Sequence, residues 1–197
     1  DVSITKDGII ILTHDTTLDR KTSLTYAPVH EINYTDLIEQ EIDFGYHNEV
    51  EPRSNGFNVS GELIRYRTYL GETVTPLDVN YPDGVSPRHD TVFLATTLED
   101  LLKAFPNNKM NVEIKQRGDL GLQALDAVIE LLDRLDDEYN VYERVVLATF
   151  HSEIYDAFIS LKNSTHPNLM ISPQNRAVTN YFILHHFRLS FFFNEPI

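Results

Sequence analysis

Apolar and polar residues along the chain alternate in blocks of two kinds. "VSITKDGIIIL" alternates with a period of two through Val2 and Ile4, breaks at Asp7-Gly8, and resumes as an apolar run from Ile9 to Leu12. This predicts two strands joined by a tight turn, because Asp-Gly suits a two-residue hairpin loop needing positive φ. With Asp7 and Gly8 at the centre of the turn, Lys6 faces Ile9 and the ladder sets Asp1 opposite His14. "NYTDLIEQEIDFG" predicts a short helix with Thr35 as its cap and an end near Gly45.

From Tyr46 to Ala95 the pattern is interrupted by Pro52, Gly56, Gly61, Gly71, Pro76, Pro82, Gly84 and Pro87, leaving short β-like fragments such as "ELIRYRTYL". Residues 46–95 therefore predict an irregular insertion or small subdomain. Order returns at "TTLEDLLKAF", where Thr97 and Asp100 have capping-box spacing. "KMNVEIK" is then a strand and "DLGLQALDAVIELLDRL" a helix with Leu125, Val128, Ile129 and Leu132 on one face. "RVVLATF", "SEIYDAFISLK", "NLMIS", "NRAVTNYFILHHF" and "LSFFF" continue as strand, helix, strand, helix, strand.

Strands alternating with helices, and continuous apolar strands such as "VVLA", indicate a parallel sheet covered by helices. A closed βα barrel and an open doubly wound sheet both satisfy this pattern. No glycine-rich phosphate loop of standard spacing occurs, which favours the barrel. Length agrees: 197 residues suffice for one domain spanning 1–197.

Charge narrows the function classes. Thirty acidic against sixteen basic residues give a net charge of -14. That composition argues against nucleic acid, whose binding depends on lysines and arginines displacing counterions. A small phosphorylated substrate remains compatible if a divalent cation reverses the local sign. The absence of cysteine excludes disulfides, thiol catalysis and thiolate metal sites. The start shows no signal-like segment, which slightly favours a cytoplasmic or membrane-peripheral setting over secretion.

In a barrel, polar residues at strand ends mark the active face. Asp1, His14, Asp15, Glu113, Lys115, Thr149, Phe150 and His151 hold such positions. A histidine after a strand is more often an ordinary loop residue, so the combination carries the argument. Glu113 and Lys115 alternate on one strand and point the same way. A carboxylate and an ammonium in a core layer form either a structural ion pair or a metal-ligand carboxylate beside a phosphoryl-contacting lysine. Asp1 adds a second hard oxygen donor suited to Mg²⁺ or Ca²⁺. His14 suits proton transfer better than ligation, its ordinary pKa lying near neutrality at about 6.5.

Together "DVSITKDGIIILTHDTTLDRKT", "VHEINYTDL", "TLEDLLKAFPNNKMNVEIK" and "VVLATF" resemble the glycerophosphodiester phosphodiesterase family of TIM-barrel enzymes. The family pattern runs histidine-arginine-glycine, glutamate-x-aspartate, threonine-x-aspartate-glycine, His-Asp, a leucine-x-arginine motif and glutamate-x-lysine. The resemblance implies a TIM (β/α)8 barrel and metal-dependent hydrolysis of glycerophosphodiesters to sn-glycerol 3-phosphate and an alcohol. One divalent cation, Mg²⁺ or Ca²⁺, would be held by Asp1 and Glu113. His14 would act as one general acid or base and Lys115 at the phosphate, in both catalysis and substrate binding. Phe150 would line the pocket, and Asp15 would contribute to the substrate site by orienting His14 or capping the next turn.

The histidine-arginine-glycine motif and the motif glutamate belong before Asp1, and the family's last strands belong after "FFFNEPI". The chain thus reads as a barrel incomplete at both ends, with residues 46–95 at the family's capping segment. Arg65, Arg67 and Arg88 there are solvent-facing charges within reach of an anionic group. Two other functions fit the residues. The aromatic-rich "VTNYFILHHFRLSFFF" would suit lysophospholipase D action, with transient membrane or lysolipid contact. A family member without the first histidine motif would instead be a non-catalytic binding module.

Overall fold

The computed structural model describes residues 1–48, 63–65, 70 and 72–186. They form an α/β chain that groups into two compact units, residues 1–2 with 106–197 and residues 3–105.

In the first unit, β5 (Met110–Glu113), β6 (Val145–Ala148) and β7 (Met170–Ile171) form a parallel sheet in that order. Glu113 is in register with Ala148, and Leu147 with Ile171. Val2 adds a parallel bridge to Ile114, so the parallel order runs from Val2 through β5 and β6 to β7. Parallel neighbours need crossovers, and two helices supply them. They are α3 (Gly118–Tyr139) and α4 (Ser152–Ser164). Leu125, Val128, Ile129 and Leu132 are buried along α3, as their spacing predicts, and fully burying each contributes roughly 1.5–3 kcal/mol. The last helix described is α5 (Asn175–His186); "LSFFF" lies outside the described residues.

The α3–α4 contact depends on one small residue. A Cβ on Gly121 would collide with the Gln116 carbonyl oxygen and lie 2.7 Å from Ile154 Cδ1. At the C-terminus of α3, Asn140 takes the left-handed conformation with φ 47°, which asparagine tolerates better than most residues.

β1 (Val2–Ile4), whose last two residues open the second unit, pairs with β2 (Ile10–Leu12) in the first hairpin. Its turn is not the expected two-residue one. The Thr5 amide donates to the Ile9 carbonyl at 2.9 Å, and the Gly8 amide donates to the Thr5 carbonyl at 3.1 Å. Lys6, Asp7 and Gly8 are thus a three-residue loop, with Gly8 left-handed at φ 83°. Thr5, not Lys6, faces Ile9, and the pairing of Asp1 with His14 counted from the shorter turn no longer follows.

The loop frees Asp7 for another contact. Its Oδ1 accepts from the Tyr34 amide at 2.8 Å and from the Thr5 hydroxyl at 2.6 Å. Tyr34 is the first residue of α1 (Tyr34–Glu39), so a carboxylate 27 positions earlier caps that helix. Thr35 lies inside the helix, not at its cap. Asn33 holds the cap position, but its amide side chain goes to Asp36 Oδ2. The helix ends at Gln40, well before Gly45. Gly45 has a packing role instead: a Cβ there would collide with the Phe93 ring.

A core of Ile11, Leu18, Ala27, Val29, Leu37 and Ala95 holds this unit, with Leu24, Ile32, Tyr34, Ile42 and Phe44 packed on it. The α2 helix (Leu98–Ala104) begins with the expected capping box. Thr97 Oγ1 accepts from the Asp100 amide at 3.0 Å, and the Asp100 carboxylate accepts from the Thr97 amide at 3.3 Å.

Within 46–95, β3 (Tyr46–Asn48) pairs antiparallel with β4 (Leu63–Arg65), and Pro76–Asp78 form one 3₁₀ turn. Arg88 turns inward. It donates to the Tyr34 hydroxyl and to the Ala95 carbonyl at 2.6 Å, with Asp100 Oδ2 3.4 Å away. It pins the segment to α1 and α2. Arg67 and most of the "ELIRYRTYL" fragment lie outside the described residues.

Candidate active site

Two clusters of chemistry-bearing residues emerge, one in each unit. The first arises from parallel register. With Glu113 opposite Ala148 and Val2 bridged to Ile114, the ends of neighbouring strands carry Asp1, Glu113, Lys115, Thr149 and Phe150. Strand alternation sends Val2, Val112 and Ile114 into the core at 3% exposure or less. Asp1, Glu113 and Lys115 therefore share the opposite face.

Lys115 Nζ donates to Glu113 Oε1 at 2.8 Å and lies 3.4 Å from Asp1 Oδ1. Its side chain is 17% exposed, against 18% for Glu113 and 32% for Asp1. One ammonium thus draws two carboxylates together in a partly desolvated place, where attraction is stronger than at an open surface. The Lys115 amide donates to the Val2 carbonyl at 3.2 Å, which fixes the stem from which this side chain rises.

Phe150 lies beside the same lysine, its ring centroid 5.6 Å from Nζ, within cation–π range. The ring is nonetheless 64% exposed, an apolar surface at the mouth of a polar cluster. His151 belongs to this edge as well. Its ring nitrogen Nε2 lies 3.2 Å from the Lys115 carbonyl, and its amide donates to Thr149 Oγ1 at 3.1 Å. A carbonyl only accepts, so Nε2 carries the proton in this contact. Sequence reasoning noted His151 at a strand end without giving it a role; the signal for one was its place one residue beyond Phe150.

The second cluster is His14, Asp15 and Arg20. His14 Nδ1 lies 2.8 Å from Asp15 Oδ1, and Arg20 Nε lies 2.8 Å from Asp15 Oδ2. The arginine contact is an ion pair, without the alignment of a good hydrogen bond. Partial burial alone would raise the Asp15 pKa. The His14 hydrogen bond and the Arg20 charge outweigh it and hold the carboxyl below its ordinary value. Because a carboxylate only accepts, Nδ1 of His14 carries the proton, leaving Nε2 to face outward from a ring 60% exposed. Asp15 thus meets the His14 ring at one oxygen and the Arg20 guanidinium at the other, an arrangement able to orient His14.

The donor chemistry of the first cluster fits a hard cation. Mg²⁺ is commonly held by one or two carboxylates with water and substrate oxygens completing its shell, and Asp1 and Glu113 already converge on a positive charge. Among the described residues no group of three or more histidines, aspartates or glutamates gathers to hold a metal ion. Within the described residues, Asp1 and Glu113 are the two carboxylates placed to face such an ion.

Parallel strands with acid, lysine and histidine at their ends define an α/β protein whose polar side chains gather at one edge of a three-stranded parallel sheet. The model of the glycerophosphoryl diester phosphodiesterase family matches residues 1–185, and the chain belongs to that family. Solved structures agree in fold. The glycerophosphoryl diester phosphodiesterase domain of an uncharacterized Mycobacterium tuberculosis protein matches with a TM-score of 0.58 at 13% identity, over 95% of this chain. A protein from Silicibacter pomeroyi, assigned as a glycerophosphoryl diester phosphodiesterase, matches with a TM-score of 0.55 at 18% identity, over 87%. The chain covers 52% of each, about half the length of the solved structures it matches. No curated protein sequence matches it. No helix among the described residues is long and apolar enough to cross a membrane.

Proposed function

We propose that the chain is part of a TIM-barrel phosphodiesterase that hydrolyses glycerophosphodiesters to sn-glycerol 3-phosphate and an alcohol, its insertion at 46–95 capping a single domain. The observation that carries this reading is the convergence of Asp1 and Glu113 on Lys115 in a chain of this family. Asp1 and Glu113 would hold one divalent cation, Mg²⁺ or Ca²⁺, whose chemistry when bound is to polarise a phosphoryl oxygen and offset its charge.

The chain's own residues do the remaining work. Lys115 presents an ammonium to a phosphoryl oxygen, where charge builds as the phosphorus becomes five-coordinate. Phe150 offers an apolar wall to the glycerol or alcohol portion. His14 uses its outward Nε2 to take a proton from the attacking oxygen or, once protonated, to deliver one to the leaving alkoxide. Asp15 holds that imidazole in the tautomer the task needs. His14→Ala in the full-length protein is expected to lower turnover of glycerophosphocholine by about 10²–10⁴-fold with the cation supplied. Turnover near the wild-type rate would sink the assignment.

Lysophospholipase D action is the second reading, and one observation favours it: Phe182 and Ile183 on α5 are 64% and 51% exposed. They would offer an apolar track to an acyl chain. Faster hydrolysis of lysophosphatidylcholine than of glycerophosphocholine supports that substrate class; the reverse order removes it.

A further inference from the structure

We propose that Arg20 is a positioning residue that acts through Asp15 to hold His14 in the tautomer with the proton on Nδ1. The proposal rests on the reading of His14 as a general acid or base. The ion pair of Arg20 is with Asp15, so its effect on the imidazole passes through that carboxylate.

The loop after β2 is built to return Arg20 to Asp15. Leu18 is fully buried and anchors the turn. Its amide donates to the Ala27 carbonyl at 2.9 Å, and its own carbonyl accepts from the Lys21 and Thr22 amides at 3.1 and 3.0 Å. The Thr22 hydroxyl also donates to that carbonyl at 2.8 Å and accepts from the Leu24 amide at 3.1 Å. This one helical turn around Leu18 carries the chain back, so that Arg20 Nε comes within 2.8 Å of Asp15 Oδ2. On the other side, the Thr13 hydroxyl donates to the Asp15 carbonyl at 3.1 Å and fixes the backbone from which the carboxylate projects.

The pairing matters because His14 alone cannot orient Asp15. A hydrogen bond to a ring 60% exposed competes with water, and exposed ion pairs contribute little, typically about 0–1 kcal/mol. A carboxylate held at one oxygen still rotates about its Cβ–Cγ bond. The second oxygen is buried, and the Arg20 charge 2.8 Å from it opposes that rotation and so favours Oδ1 on His14 Nδ1. Without the restraint, imidazole reverts toward its intrinsic preference for the proton on Nε2, which places a donor where the reaction needs a lone pair.

The test is the ring ¹⁵N spectrum of His14 in the full-length protein, recorded above the imidazole pKa for wild type, Arg20→Gln, Arg20→Lys and Asp15→Asn. Wild type is expected in the Nδ1–H form. Arg20→Gln is expected to shift toward Nε2–H, with Arg20→Lys between them. Turnover of Arg20→Gln should fall by about 10–100-fold with KM little changed, the size of effect known for residues that orient a functional group from behind. Arg20 is partly exposed, so Arg20→Gln should unfold at a temperature close to wild type. An Arg20→Gln spectrum still wholly Nδ1–H overturns the proposal, whatever its turnover. If His14→Ala retains full turnover while the tautomer shifts as described, the catalytic reading fails and the positioning role stands.

Discussion

Replacing Lys115 by methionine keeps most of the side-chain stem and removes the ammonium that lies 2.8 Å from Glu113 Oε1 and 3.4 Å from Asp1 Oδ1. Two effects then oppose each other. The carboxylates lose their shared counter-charge and repel across the gap it filled, while the unfolded chain loses nothing comparable. Fully exposed pairs contribute about 0–1 kcal/mol and breaking a fully buried one costs about 3–5. With Glu113 and Lys115 less than one-fifth exposed and Asp1 about one-third, an intermediate cost of about 2 kcal/mol is expected in chelator. For a chain of this size that lowers the unfolding temperature by roughly 4–8 °C.

A divalent cation should act in the other direction, because it no longer competes with a resident ammonium. Anything bound only by the folded state stabilises it by RT ln(1 + L/Kd), which grows with the free ligand concentration L. Lys115→Met should therefore gain more from added Mg²⁺ or Ca²⁺ than wild type does, while its turnover stays low for want of the phosphate-facing charge. Thermal unfolding of both proteins in chelator and across a cation titration reads both effects. A variant as stable as wild type in chelator, with no larger cation response, would refute the view that this lysine holds two carboxylates together.

Gly121→Ala tests the approach of α3 to α4. Helix propensity alone predicts a gain of about 1 kcal/mol, but the collision with Gln116 and Ile154 should reverse the sign to a net loss of about 1–3 kcal/mol in urea unfolding. A stabilised variant would show that the helices are not so close. Asp7→Ala should cost about 1 kcal/mol, the value of a lost helix cap. Burial opposes ionisation of Asp7, yet the hydrogen bonds from Thr5 and Tyr34 keep its pKa below the ordinary value. A depressed carboxyl stabilises the fold above its unfolded pKa of about 3.9 and loses that contribution as pH falls through the folded value. Wild type and Asp7→Ala should thus differ at neutral pH and converge in acid; a gap unchanged down to about pH 2 contradicts the capping role.

Elements set by local periodicity were legible in the sequence. The two-residue period through "NVEIK" placed Glu113 and Lys115 on one face, and the 3.6-residue period of α3 identified the side chains that are buried. The capping box at Thr97 and Asp100 was legible for the same reason, since donor and acceptor lie within one turn. The α/β class and the family followed from the order of these elements and motifs. What failed to show was any contact closed by geometry outside a regular element. Asp-Gly suits both a two-residue and a three-residue hairpin loop, and only the Thr5–Ile9 bond decides between them. The cap of α1 was sought among its flanking residues, at Thr35, whereas the capping carboxylate comes from the first hairpin.

The acidic residues make the distinction concrete. Asp1, Asp7 and Asp15 all stand near strand ends in one short stretch, and residue type alone offers the same reading for each. Their partners separate them. Asp7 accepts two neutral donors and closes a helix, a scaffolding use in which the carboxylate is consumed. Asp15 is held between an imidazole and a guanidinium, and the proposed use of its charge is to set the proton of a neighbour. Asp1 meets an ammonium at 3.4 Å, longer than the 2.8 Å of the Glu113 contact, and is the most exposed of the three groups in its cluster. On the proposed reading, the longer contact is the one that would yield to a cation shared with Glu113.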